Sequence, residues 1–176
     1  MQDASLAKAC PGEIQALVFD LDGLVLDTAR MDPMPGIPAC LRAARRHRLG
    51  VAVASSSPRS WVAGHLERID LRSFFDAISA EEDVRRVKPA PDLYLHATAA
   101  LGVLPGAAVA IEDSPNGVEA AKAAGLVCTA VPGPMTRHLR FDAADVVLDT
   151  LEGRPLQDVI RSAVSPTARG SAVGDP

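Results

Sequence analysis

The 176-residue chain is 48% hydrophobic and 23% charged, a balance that fits one soluble globular domain with its own core and excludes a disordered or collagen-like polymer. Its 18 basic and 22 acidic side chains give a net charge of −4, and one Trp, one Tyr and four Phe offer little for base stacking, so nucleic acid is not an expected partner. The longest uncharged apolar run, Ala99 to Ile111, is too short to cross a bilayer and is broken by Gly102, Pro105 and Gly106.

In chain order, residues 1–12 carry no apolar stretch of the length a secretion signal needs. They are expected to be a mobile N-terminal segment, and the protein to be cytoplasmic. A single domain is expected over residues 13–164. Within it, short apolar runs alternate with longer segments of helical period, the pattern of buried parallel strands joined by crossover helices. Strands are predicted near 16–19, 51–54, 77–78, 107–111, 126–131 and 145–148, and helices near 37–48, 58–68, 90–101, 115–124 and 155–164. Gly50, Gly102 and Gly125 stand where three of these helices should stop, and Pro58, Pro91 and Pro115 suit first turns. The basic run from Arg42 to Arg48 reads as a solvated helix face. Cys10, Cys40 and Cys128 form no C-x-x-C pair and read as buried or idle thiols. Residues 165–176 are expected to be a mobile tail.

The chemistry collects at strand ends. Leu17-Val18-Phe19-Asp20-Leu21-Asp22-Gly23 finishes a buried strand with two acids two residues apart, then a glycine that allows a sharp turn. Ser55 ends the second strand, Lys88 precedes a helix in Val87-Lys88-Pro89-Ala90-Pro91-Asp92, and Glu112-Asp113 follows Val109-Ala110-Ile111. Ligands of open parallel sheets bind outside the carboxyl ends of the strands, so these groups are expected to converge. Two carboxylates about 4 Å apart repel by roughly 4 kcal/mol at an effective dielectric of 20. A divalent cation would relieve four acids at one mouth, and an all-oxygen donor set without thiolate or imidazole points to Mg²⁺. Lys88 and the Ser55 hydroxyl would then complement phosphate oxygens. Each signal alone has a plainer reading: a turn for Asp-x-Asp-Gly, a helix start for Ser55 or for Glu112-Asp113-Ser114-Pro115, a surface lysine or counter-ion for Lys88. Their joint occurrence, in this order at these strand ends, carries the catalytic reading.

The same residues resemble the haloacid dehalogenase (HAD) superfamily, in the subgroup of β-phosphoglucomutase and small sugar-phosphate or nucleotide phosphatases. The likeness runs from about residue 14 to 150 and includes Asp27-Thr28, Lys88-Pro89-Ala90-Pro91-Asp92 and Asp113-Ser114-Pro115-Asn116-Gly117. It implies an α/β fold, a Rossmann-like doubly wound parallel sheet. It implies that Asp20 attacks phosphorus to form an aspartyl phosphate, and that Asp22 protonates the leaving oxygen and then activates water. Mg²⁺ would be bound by Asp20, the Asp22 backbone carbonyl, Asp113, and Glu112 directly or through water. Ser55 and Lys88 would hold the phosphoryl group, and Thr28 would orient Asp22. An acidic residue at Asp22 disfavours dehalogenation.

One departure from the subgroup is conspicuous. Its members carry a helical cap of several dozen residues at a point where only Ala29 to Met34 separate Asp27-Thr28 from Pro35-Gly36. The resemblance thus implies a capless core whose shortened loop at 29–34 leaves the site open to water, favouring hydrolysis over sugar-phosphate mutation. The expected activity is Mg²⁺-dependent hydrolysis of small phosphomonoesters such as sugar phosphates. The alternatives are a phosphohexomutase and a weak core that only binds metal and phosphate. Without a cap, Leu24, Val25 and Leu26 are expected to form an exposed apolar edge and so a homodimer surface. His47, His65, His96 and His138 receive no role, and Trp61 and Tyr94 read as packing residues.

Overall fold

The computed structural model describes residues 14–165; the expected mobile ends, apart from Ser165, and Cys10 fall outside the described residues. The elements run β1 (Ala16–Phe19), β2 (Leu26–Asp27), β3 (Asp32–Pro33), α1 (Ile37–Arg46), β4 (Gly50–Ala54), α2 (Arg59–Arg68), β5 (Ala77–Ser79), α3 (Asp92–Ala100), β6 (Ala108–Glu112), α4 (Pro115–Ala123), β7 (Val127–Ala130), β8 (Val146–Val147) and α5 (Leu156–Val164). All the predicted strands and helices are present, each end within two residues of the expected one. Six strands pair in parallel in the order β5-β4-β1-β6-β7-β8, a doubly wound α/β sheet whose direction of winding reverses between β1 and β6.

Alternation along each strand divides the core into two layers. Leu17, Phe19, Val51, Val53, Val109 and Ile111 pack with Leu41 of α1, Leu66 of α2 and Ile160 of α5. On the opposite face, Ala16, Ala52, Ala54, Ala108 and Ala110 join Val18 against Leu93, Tyr94 and Ala97 of α3 and Ala120 and Ala121 of α4. The first layer is built from large side chains and the second largely from alanine, which lets α3 and α4 lie close on the sheet.

Three local expectations change. Gly50 starts β4 instead of ending α1, and the left-handed residue after that helix is Arg48. Pro58 and Pro91 sit one position before their helices, while Pro115 is the first residue of α4. Leu24, Val25 and Leu26 are buried in the large-side-chain layer, so they form no apolar edge and the homodimer surface expected from them is not there. The reason is a small antiparallel hairpin, β2 with β3, which turns the segment inward. Leu26 N–H bonds Leu21 O at 2.9 Å and Met34 N–H bonds Val25 O at 3.2 Å.

The basic run keeps the role expected of it: Arg42, Arg45, Arg46 and Arg48 are exposed, with Arg45 3.0 Å from Asp76, while Cys40, Leu41, Ala43 and Ala44 form the buried face of α1. Cys40 and Cys128 are buried free thiols. Among the described residues no helix is long and apolar enough to cross a membrane.

The two layers respond to opposite changes. Leu17→Ala leaves a cavity and is expected to lower stability by about 2–5 kcal/mol. Ala110→Leu crowds the alanine layer and is expected to cost about 1–3 kcal/mol. Urea unfolding of both variants checks the assignment, and an unchanged midpoint for Ala110→Leu would contradict the close approach of α3 and α4.

Candidate active site

The reversal of winding puts β1 beside β6, with Phe19 in register with Ile111. The Asp20 N–H continues the ladder by donating to Ile111 O at 3.0 Å, so Asp20 and Glu112 leave the sheet at the same level. One carboxylate oxygen each from Asp20, Glu112 and Asp113 lie within 4.8 Å of one another, and all three residues are buried. The Lys88 ammonium, delivered by the loop before α3, bridges this cluster. It bonds Asp20 Oδ1 and, at 2.6 Å, Glu112 Oε1. It also stands 5.3 Å from the centroid of the Tyr94 ring, within reach of a cation–π contact.

Three buried carboxylates facing one lysine leave negative charge in excess. Burial raises the Asp20 carboxyl well above its ordinary value, with Glu112 and Asp113 adding to the rise and Lys88 opposing it. Asp113 is pushed up to about 7, first by burial and then by Glu112. Burial acts to lower the Lys88 pKa, but the charges and hydrogen bonds of Asp20 and Glu112 together outweigh it and hold the ammonium above the usual lysine range.

Glu112 is the most completely bonded member. Its Oε1 accepts from Lys88 and from the Tyr94 hydroxyl at 2.5 Å; its Oε2 accepts from Asp113 N at 3.2 Å, Ser114 N at 3.4 Å and Ser114 Oγ at 3.2 Å. Two glycines make room for the carboxylates. A methyl group on Gly117, in the first turn of α4, would collide with the Glu112 carboxylate. Gly23 has φ +91° and a side chain there would run into Asp113.

Asp22 lies outside the three-carboxylate cluster, half-buried on the turn after β1. Its Oδ2 accepts from Ser57 Oγ at 2.8 Å and Ser55 Oγ at 3.4 Å, and its Oδ1 from Trp61 Nε1 at 3.0 Å. Ser55 is buried at the end of β4, where its N–H bonds Ser79 O at 2.9 Å and its Oγ accepts from Ser57 N at 3.1 Å. The structure therefore gathers Asp20, Lys88, Glu112 and Asp113, and links Asp22 to Ser55 beside them. It does not bring in Thr28, which is exposed and makes no hydrogen bond to Asp22. The contacts that orient Asp22 come from Ser57 and Trp61, because the hairpin carries Thr28 outward.

Trp61 is thus more than a packing residue, and Tyr94, although fully buried, also holds Glu112. Trp61 falls in the first turn of the helix that follows the Ser55-Ser56-Ser57 run, four residues after Ser57, but no local pattern ties it to Asp22. No local signal ties Tyr94 to Glu112. Among the histidines, His65 packs against Trp61 with ring centroids 4.0 Å apart, and His96 Nδ1 lies 3.0 Å from Ser79 Oγ.

Comparison with known proteins finds relatives by sequence and by fold. The family model described as haloacid dehalogenase-like hydrolase matches residues 29–131. CbbY of Cereibacter sphaeroides is 43% identical over 123 residues, covering 66% of this chain and 52% of that protein. Hexitol phosphatase B of Escherichia coli K12 is 38% identical over 128 residues, covering 72% of this chain and 58% of that protein. The chain thus spans about half the length of the curated relatives it matches. Among solved structures, CbbY from Rhodobacter sphaeroides in complex with phosphate superposes with a TM-score of 0.75 at 26% identity, over 80% of this chain and 96% of that one. β-Phosphoglucomutase from Clostridium difficile shares the fold, with a TM-score of 0.76 at 17% identity over 85% of this chain and 97% of that one. With the matched span taking in more than half of its residues, and Asp20 and Asp22 following β1 just ahead of that span, the chain belongs to the haloacid dehalogenase-like hydrolase family.

Proposed function

We propose that the chain is a Mg²⁺-dependent phosphatase that hydrolyses sugar phosphates or similar small phosphomonoesters through an aspartyl phosphate. The observation that carries this reading is Asp20, buried at the winding reversal with Lys88 on one of its oxygens and Asp113 and Glu112 alongside. The names of the relatives support the substrate class: one is a hexitol phosphatase, and another CbbY structure is of a mutant in complex with xylulose-(1,5)bisphosphate.

In the proposed reaction an Asp20 carboxylate oxygen attacks phosphorus while the bond to the ester oxygen breaks. Asp22 gives that oxygen its proton and later takes one from the water that splits the acyl phosphate, releasing inorganic phosphate and restoring both aspartates. Lys88 and Ser55, at the ends of their loop and strand, hold the phosphoryl oxygens. Ser57 and Trp61 fix the Asp22 carboxylate by donating to both of its oxygens. Glu112, with five donors on it, serves chiefly to hold Lys88 and the backbone of Asp113.

The residues fit a hard divalent cation: the cluster is all oxygen, buried, and carries more negative charge than Lys88 balances. Asp20 and Asp113 would hold the cation, with the Asp22 carbonyl and Glu112 completing the expected set. When bound it would neutralise charge on the phosphoryl oxygens. The short β2–β3 hairpin supports an open mouth and hence water as the acceptor.

Two tests follow. Purified protein with Mg²⁺ is expected to release phosphate from p-nitrophenyl phosphate. Asp20→Asn should lower kcat by about 10³-fold or more, and Lys88→Met by about 10²–10³-fold. An Asp20→Asn variant as active as the parent would overturn the mechanism.

The second test uses the raised Asp113 pKa. Between its ordinary value of 3.8 and about 7 the folded chain holds a proton there that the unfolded chain has lost. Without cation, this group therefore makes stability fall as pH rises through that window. A cation competes with the proton, so its stabilising effect should grow with pH. Calorimetric melts are expected to show Mg²⁺ raising Tm more above pH 7 than at pH 5. Equal or absent shifts would argue against a cation at Asp113.

A further inference from the structure

The phosphatase reading places the departing oxygen at Asp22, and the inference below rests on it for that one point. Two of the side chains that hold the Asp22 carboxylate, Ser57 and Trp61, also begin an open groove of about 570 Å³ along α2, continued by Ser60, Gly64, His65 and Arg68. Positions 61, 64, 65 and 68 share one face of α2, with Ser57 just ahead of the helix, so the helical part of the groove leads away from Asp22 over about 10 Å, taking a rise of 1.5 Å per residue.

Trp61 is 42% exposed. The indole is held in place by its bond to Asp22 and by the His65 ring packed at 64° to it, not by burial. Beyond it the groove is open because residue 64 is glycine: a Cβ built there meets nothing within 4 Å. At the far end Arg68 donates to the Met31 carbonyl in the β2–β3 turn. That bond uses only part of a guanidinium with five N–H donors. Among the described residues, no carboxylate lines the groove beyond Asp22 at its head.

We infer that this groove is the subsite for the leaving group, and that it takes phosphomonoesters whose alcohol presents a flat face to Trp61 and is neutral or anionic. A rigid indole supplies contact area at little entropic cost, and both a sugar ring and an aromatic ring offer the matching surface. The Ser60 hydroxyl can meet ring hydroxyls, and Arg68 disfavours a cationic group.

Because Trp61 is the single tryptophan of the chain, its emission reports on the groove directly. Asp20→Asn protein in Mg²⁺ is titrated with glucose 6-phosphate, adenosine 5′-monophosphate, glycerol 1-phosphate and phosphocholine. A saturable change in emission is expected for at least one of the two flat-faced esters, with binding at least fivefold tighter than for glycerol 1-phosphate or phosphocholine. The tighter of the two flat-faced esters identifies a sugar or an aromatic ring as the preferred face. Adding Gly64→Leu fills the groove and should weaken binding of the flat-faced esters tenfold or more, and by a larger factor than for glycerol 1-phosphate. Its melting temperature should not fall, since leucine replaces a helical glycine with open space around it.

Silent emission, equal affinity for all four esters, or a Gly64→Leu variant that binds like its parent overturns the groove. If emission changes as expected but the unmodified chain turns over no ester, the groove stands and the phosphatase reading falls. Turnover with silent emission has the reverse meaning.

Discussion

The buried Lys88 ammonium, shared between Asp20 and Glu112, is the contact on which the rest of the site depends. Breaking a buried ion pair by removing one partner is expensive, because the other charge is left without water or counter-charge. Here the imbalance is built in: with Asp113 present, the cluster has three acids and one base. Neighbouring features are arranged around that fact. Tyr94 gives Glu112 a neutral donor and Lys88 an aromatic face, while Ser114 and two backbone N–H groups take the far carboxylate oxygen. Residues 23 and 117 have no side chain because the carboxylates of Asp113 and Glu112 occupy that space.

What brings these groups together is sheet geometry. The parallel register of β1 on β6 sets Asp20 beside Glu112, and β4 on the other side of β1 delivers Ser55. The alanine layer has a chemical consequence as well. With only small side chains between α3 and the sheet, the Tyr94 hydroxyl reaches Glu112 from a helix that begins four residues after Lys88. Larger residues at Ala52 or Ala110 would lift α3 and draw that donor away.

Much of this was legible from the amino-acid order. Strands with apolar residues at every position and helices with clear stops made the sheet readable, and polar residues at strand ends then marked Asp20, Ser55, Lys88, Glu112 and Asp113. What escaped has a common physical origin. The partners of Asp22 and Glu112 are set by how α2 and α3 lie on the sheet, which no local pattern encodes, so Trp61 and Tyr94 read as ordinary packing residues. The β2–β3 hairpin has two-residue strands, too short for alternation to register. Missing it turned Leu24, Val25 and Leu26 outward and left Thr28 beside Asp22, when the hairpin does the reverse on both counts.

The hairpin also bears on selectivity. A phosphoryl group looks the same in every monoester, so Asp20, Lys88 and the acidic cluster cannot tell one alcohol from another; discrimination needs a surface on the leaving-group side. Only residues 29–34 join Thr28 to Pro35, too few to build that surface over the mouth. On the proposed reading it would fall to the core itself, and α2 is the element that starts beside Asp22 and runs outward. Trp61 stands at both ends of this logic, since its indole N–H holds the Asp22 carboxylate while its ring walls the groove. On the proposed reading, an alcohol seated against that ring would lie beside the carboxylate assigned to protonate it, so one side chain would position both the alcohol and the acid.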